Sequence, residues 1–113
     1  MNQVDLRKHS RKGMESKFFC KNYSTNGKIN KFSPVVELQS LDISVGGMGL
    51  LSNKRINVFT IIMFRLPINN DVVDITGEVR YCNYIGQGKY KLGIQFKCLD
   101  HYSEKVIEEF LNN

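Results

Sequence analysis

Two stretches near the end of the chain alternate apolar and polar residues with a period of two. In "DVVDITGEVRYC" (Asp71–Cys82), Val73, Ile75, Val79 and Tyr81 fall on one face. Val72, Asp74, Thr76, Glu78 and Arg80 fall on the other. In "KYKLGIQFK" (Lys89–Lys97), Tyr90, Leu92, Ile94 and Phe96 face inward, and Lys89, Lys91, Gly93, Gln95 and Lys97 face outward. This is the repeat of half-buried strands. The interval "NYIGQG" carries two glycines and reads as a hairpin loop. A hairpin alone is marginal in water, so its apolar face needs further strands to pack against.

Those strands are present upstream. "KFFCKNYS" (Lys17–Ser24) reads as a first strand, with the Phe18-Phe19 pair assigned to the core. "TNGKINKFSP" reads as a loop around an Asn26-Gly27 turn. "VVELQSLDIS" (Val35–Ser44) is a strand whose parity breaks: Val36 and Leu38 share one face, Leu41 and Ile43 the other. A bulge near Ser40 would bring all four together. "GGMGLLS" is a short strand. "NVFTIIMFRLP" (Asn57–Pro67) is apolar on both parities and reads as a buried strand ended by Pro67. The period then changes: Val106, Ile107, Phe110 and Leu111 sit at helical spacing, with Ser103 as N-cap and Glu104 in the first turn. Six short strands followed by one helix predict an all-β fold, a small antiparallel barrel with a C-terminal helix over one opening. The expected division is a flexible basic arm over residues 1–15, then a barrel over 16–113 with its helix at about 103–112.

At 113 residues the chain has the length of one domain. Its charge is lopsided: residues 1–31 carry net +6 and the remaining 82 carry −1. An anionic partner for the N-terminal quarter is the natural implication. Cys20, Cys82 and Cys98 are scattered, without the paired spacing of a zinc site or a disulfide framework, so reduced thiols are expected. The opening "MNQVDLRKHSRK" lacks the apolar stretch of a secretory signal. The longest apolar run, Phe59–Phe64, is too short to span a bilayer. A cytoplasmic protein without membrane insertion is the expectation.

Two motifs carry chemistry. The first is Arg7-x-x-x-Arg11 in "LRKHSRKG", and the second is Asp42-x-Ser44-x-x-Gly47 in "LDISVGGMGL". Guanidinium forks suit phosphate oxygens and the O6/N7 edge of guanine. A carboxylate accepts from the N1–H and N2–H of guanine's other edge, and a nearby hydroxyl donates or accepts there. Gly46 and Gly47 let the backbone approach a ligand closely. Each motif alone has an ordinary reading: a solvated basic arm for the first and a turn for the second. Together they supply complementary faces for a guanine nucleotide with more than one phosphate. Glu108 and Glu109 read as a solvated helix face, and His9 and His101 have no partner for acid–base work. No nucleophile, base or metal constellation indicates an enzyme, and neither a metal nor a cofactor is expected.

From "RKHSR" (Arg7–Arg11), "DISVGG" (Asp42–Gly47) and "KYKLGIQF", in that order, the chain resembles the PilZ domain, the bacterial receptor module for cyclic di-GMP. The resemblance runs from about Leu6 to Leu111. It implies a six-stranded barrel with a C-terminal helix and a second-messenger receptor regulating motility or biofilm growth. It assigns Arg7 and Arg11 to the grip on guanine and phosphates, and Asp42, Ser44 and Gly47 to the barrel surface that holds a guanine. Gly46 fits the small position before the last glycine. Lys8 and His9 take secondary roles between the arginines. Leu6 stands where many relatives have a further arginine that accompanies a stacked, dimeric ligand, so one nucleotide per domain is favoured. The implied partners are cyclic di-GMP and an unidentified protein, with the chain a monomer or weak dimer. Two other readings remain open here: a nucleic-acid-binding small barrel, and a protein-interaction adaptor whose nucleotide site is silent. Basic charge is not spread over a sheet face with outward aromatics, so nucleic acid is not the expected partner.

Overall fold

Three pairs of residues with positive φ set the hairpins: Asn26-Gly27 (53° and 77°), Asn69-Asn70 (55° and 63°) and Gln87-Gly88 (57° and 72°). Two consecutive left-handed residues make the turn whose twist matches flanking antiparallel strands. In the computed structural model, which describes residues 11–113, these turns join long strands directly. The elements are β1 (Lys12–Gly13), β2 (Lys17–Thr25), β3 (Lys28–Ile43), β4 (Gly47–Ser52), β5 (Ile61–Ile68), β6 (Asp71–Gly86), β7 (Lys89–Phe96) and α1 (His101–Leu111). The strand order is β3-β2-β5-β6-β7-β4, and β4 pairs back onto β3, closing a six-stranded antiparallel barrel. The two-residue β1 adds to β3 beside Asp42 and Ile43.

The barrel and helix follow the expectation; several local features differ from it. Residues 28–34 and 83–86 are strand rather than loop, so the turns are two residues long. Pro67 lies inside β5 opposite Val72, beyond the last β2–β5 pair at Met63, where its missing N–H costs no ladder bond. The apolar stretch before β5 does not belong to it: Val58 and Phe59 are exposed, and the strand begins at Ile61. Phe18 packs on Phe64 with ring centroids 4.9 Å apart, but Phe19 is 56% exposed, because adjacent strand residues point to opposite faces.

Two register shifts redirect side chains. In β3 the shift against β4 lies between Ser40 and Asp42. It is the expected bulge, with a different inward set: Val36, Leu38, Ser40 and Ile43 are buried, and Leu41 is left half-exposed as the extra residue. Ser40 is tolerated inside because its hydroxyl accepts from the Ser16 N–H at 2.8 Å. In β6 the shift against β7 lies between Val79 and Tyr81, and it turns Tyr81 outward where simple alternation placed it in the core. The core itself is aliphatic: Leu38, Ile43, Met48, Leu50, Ile62, Leu66, Ile75 and Leu92 from the barrel, closed by Ile107 and Val106 from α1. Cys20 is fully buried, and burial pushes its thiol up to about 11. Cys82 is half-buried and Cys98 exposed; all three are free.

The helix starts three residues earlier than the Ser103 cap would place it. Asp100 is the N-cap, and its carboxylate accepts from the Ser103 N–H at 2.7 Å. Ser103 is buried against the barrel. Tyr102 donates its hydroxyl to Asp71 at the start of β6, tying the first helical turn to the β5–β6 hairpin. At the other end, Lys12 donates to the carbonyls of Phe110 (2.9 Å) and Asn113 (2.8 Å), and its ammonium lies 4.4 Å from the Phe110 ring centre. A cation there also meets the negative end of the helix dipole.

Hydrogen bonds from the Ser103 backbone hold the Asp100 carboxyl below its ordinary range, and the Tyr102 hydroxyl does the same for Asp71. Depressed carboxylates contribute stability above their unfolded pKa, about 3.9, and lose it as pH falls through the lower folded value. Asp100→Ala is therefore expected to lower the thermal midpoint at pH 7. The gap to wild type should narrow as the pH drops well below 4, which melts followed by circular dichroism across pH will check.

Candidate functional site

The β3 bulge sends Asp42 to the outer wall of the barrel, and the residues just before β1 bring Arg11 to it. Arg11 Nη2 lies 2.8 Å and Nε 3.2 Å from Asp42 Oδ1. The Gly49 N–H donates to the same oxygen at 3.1 Å. Among the described residues, Oδ2 accepts no hydrogen bond. The two motifs, 31 residues apart in sequence, thus meet in space. Residues 12–15, assigned to the arm, run with Ser16 along β3: Met14 N–H donates to Leu41 O at 3.0 Å, and Ser40 N–H to Ser16 O at 2.8 Å.

The remaining motif residues form the β3–β4 turn. Ser44 N–H donates to Gly47 O at 2.8 Å. Its hydroxyl donates to the same carbonyl and accepts from the Gly46 N–H, each at 3.3 Å. Ser44 is 3% exposed, so in this conformation it holds the turn rather than facing solvent. Gly47 answers to packing, since a Cβ there would stand 2.1 Å from the Ile94 carbonyl oxygen of β7. A Cβ on Gly46 would meet nothing within 4 Å, and its carbonyl accepts from the Phe96 N–H at 2.9 Å. Gly46 leaves the surface beside the motif open. Arg7, Lys8 and His9, with Leu6, lie outside the described residues.

Arg11 and Asp42 form one side of a shallow depression of about 200 Å³, whose other walls are Arg80, Tyr81 and Lys91, with Gly93 between them. Three cations face one carboxylate there, so the depression favours an anion. Arg80 donates to Gln95 Oε1 and stands 3.8 Å from Glu78, which also holds Lys97 at 3.4 Å. Reading the sequence placed Lys91 and Arg80 outward, with Lys91 read as edge protection or an extension of an anionic partner surface and Arg80 given no role, and it put Tyr81 in the core. One signal pointed the other way: a glycine, Gly93, in the middle of an otherwise bulky strand marks a place where something else comes close. Among the described residues, no group of three or more His, Cys, Asp or Glu side chains could hold a metal, and no helix is long and apolar enough to cross a membrane.

Comparison with known proteins places these features in a family. The family model described as the PilZ domain matches residues 5–113. The solved structure of the Bacillus subtilis inhibitor of motility (MotI/DgrA) is similar to the chain with a TM-score of 0.60 and 14% identity, over 94% of this chain and 50% of that one. The chain therefore spans about half the length of that protein, and at this identity the likeness speaks to the fold. A comparison with curated proteins finds no match.

The two neighbouring glycines separate packing from surface. Gly47→Ala forces backbone apart and should cost roughly 2–3 kcal/mol in denaturant unfolding, whereas Gly46→Ala should stay within about 0.5 kcal/mol. Arg11→Ala removes a half-exposed ion pair and should cost less than about 1 kcal/mol in the same measurement.

Proposed function

The chain belongs to the PilZ domain family, and on that footing we propose that it is a receptor for cyclic di-GMP, a binding module rather than an enzyme. The observation that carries this reading is the pairing of Arg11 with Asp42 on an open, cationic wall of the barrel. A guanine brought to Asp42 donates N1–H and N2–H to the carboxylate, using Oδ2 and competing with Arg11 for Oδ1. Arg11, released or shared, turns its fork to a phosphate or to the O6/N7 edge. Arg7 supplies the second fork, with Lys8 and His9 beside it. Gly46 keeps the approach clear, and Ser44 and Gly47 shape the turn. Leu6 in place of a further arginine favours one nucleotide per domain over a stacked pair.

In this mechanism the segment carrying Arg7 and Arg11 closes over the nucleotide, and the altered surface engages or releases a partner protein. The inhibitor of motility is named for an effect on motility. The same kind of output, or control of biofilm growth, in the cytoplasm is the corresponding proposal for this chain.

Calorimetric titration with cyclic di-GMP tests the reading, with Arg11→Ala and Asp42→Ala measured alongside. Saturable binding at or below roughly tens of micromolar is expected, weakened at least about tenfold in each variant. It should survive excess GTP or single-stranded DNA. Absence of heat at that protein concentration sinks the receptor reading. Unchanged binding in both variants sinks the site assignment instead. Steep loss with salt and displacement by any single strand would favour the nucleic-acid reading.

A further inference from the structure

One row of residues crosses four strands of the barrel wall. Asp42 of β3 pairs with Gly49 of β4, Gly49 with Gly93 of β7, and Gly93 with Tyr81 of β6. Residues directly opposite one another share a face of the sheet. Strands lie about 4.8 Å apart, so the backbones of Asp42 and Tyr81 are roughly 14 Å apart. Their side chains close that gap by leaning over the glycines. A Cβ on Gly49 would stand 2.9 Å from Asp42 Oδ1, and one on Gly93 only 2.1 Å from Tyr81 Cε2. The carboxylate thus occupies the space above Gly49 and the phenol ring the space above Gly93, next to each other on the outer wall.

The ring is not there by default. Alternation along β6 would bury Tyr81, and the register shift after Val79 is what presents it, 41% exposed. The glycine opposite leaves room for the ring to lie down on the sheet. Cations stand on both sides: Arg80, steadied by Gln95, and Lys91, two residues before Gly93 on the same face of β7. An aromatic face beside a carboxylate, flanked by cations, is complementary to a purine that carries phosphates.

We propose that Tyr81 is the stacking surface for the guanine whose edge Asp42 holds, and that Arg80 and Lys91 receive the phosphates attached to it. This rests on the cyclic di-GMP reading and adds to it a division of labour. Stacking is tolerant, because every base has a π face. Selection for guanine therefore falls to Asp42, since adenine offers no N1–H to a carboxylate, and Tyr81 supplies residence on the surface.

The test is titration of the full chain with cyclic di-GMP, comparing wild type with Tyr81→Leu, Tyr81→Phe and Tyr84→Leu. Tyr84 is exposed farther along β6, outside the depression, and packs on Tyr90. Tyr81→Leu should weaken binding about tenfold, Tyr81→Phe should recover most of that loss, and Tyr84→Leu should match wild type. At saturation the guanine H8 resonance should move upfield on wild type and Tyr81→Phe, from the ring current, and not on Tyr81→Leu. Cyclic di-AMP should bind far more weakly to every form. Equal affinity and an equal H8 shift in Tyr81→Leu would overturn the stacking role while leaving the receptor reading intact. Tyr81→Phe as weak as Tyr81→Leu would overturn it too, because the ring is then not what binds. A wild-type chain that binds no cyclic di-GMP removes both.

Discussion

The register shift between Ser40 and Asp42 is the constraint on which the outer wall depends. Before it, Val36, Leu38 and Ser40 of β3 point into the barrel; after it, Ile43 does. A regular strand would have carried Asp42 inward with Val36 and Leu38. An unpaired carboxylate in an aliphatic core is costly enough to be avoided or neutralised. One extra residue, Leu41, keeps the core apolar and sets the carboxylate where Arg11 and the Gly49 N–H reach it. β6 uses the same device after Val79, and there it delivers an aromatic ring instead of a charge. The two irregular strands are not neighbours, yet two glycine positions between them bring their redirected side chains together. The regular parts of the barrel supply stability, and these two register shifts supply the surface.

What could be read from sequence divides along the same line. The period-two runs of β6 and β7, the helical spacing of Val106, Ile107, Phe110 and Leu111, and the broken parity of β3 were all legible, because burial forces a pattern that repeats. Tyr81 was not, since a bulge erases parity for the residues beyond it, and nothing in "EVRYC" announces one. The hairpin tips were missed for a different reason. Apart from Phe32, residues 28–34 and 83–86 bury little on either face, so no alternation marks them as strand. Asn69-Asn70 did carry a turn signal, since Asn tolerates left-handed backbone. Pro67 misled because its ring forbids a central ladder position, whereas the chain places it where β5 has no second neighbour.

Charge and fold also meet at the chain's beginning. The first quarter carries the positive excess, and the first two described cations of it are committed to named contacts, while Lys17, Lys21, Lys28 and Lys31 are exposed. Arg11 spends its fork on Asp42, and Lys12 spends its ammonium on the end of α1. Both contacts are partly exposed, so neither contributes much to stability, and each can be exchanged for another anion at small cost. Weak, reversible contacts of this kind suit the charged ligand proposed for this wall.

Arg11 and Lys12 are consecutive, and they reach in opposite directions, one to the barrel wall and one to the helix terminus. A single peptide unit lies between their Cα atoms, and such units are planar and resist twisting. The two contacts are therefore neighbours along the backbone, one peptide unit apart, and a movement of this segment at Arg11 also moves the backbone that carries the Lys12 contacts to Phe110 and Asn113. The last turn of the helix is in this sense mechanically adjacent to the carboxylate, although 68 residues of chain separate Asp42 from Phe110.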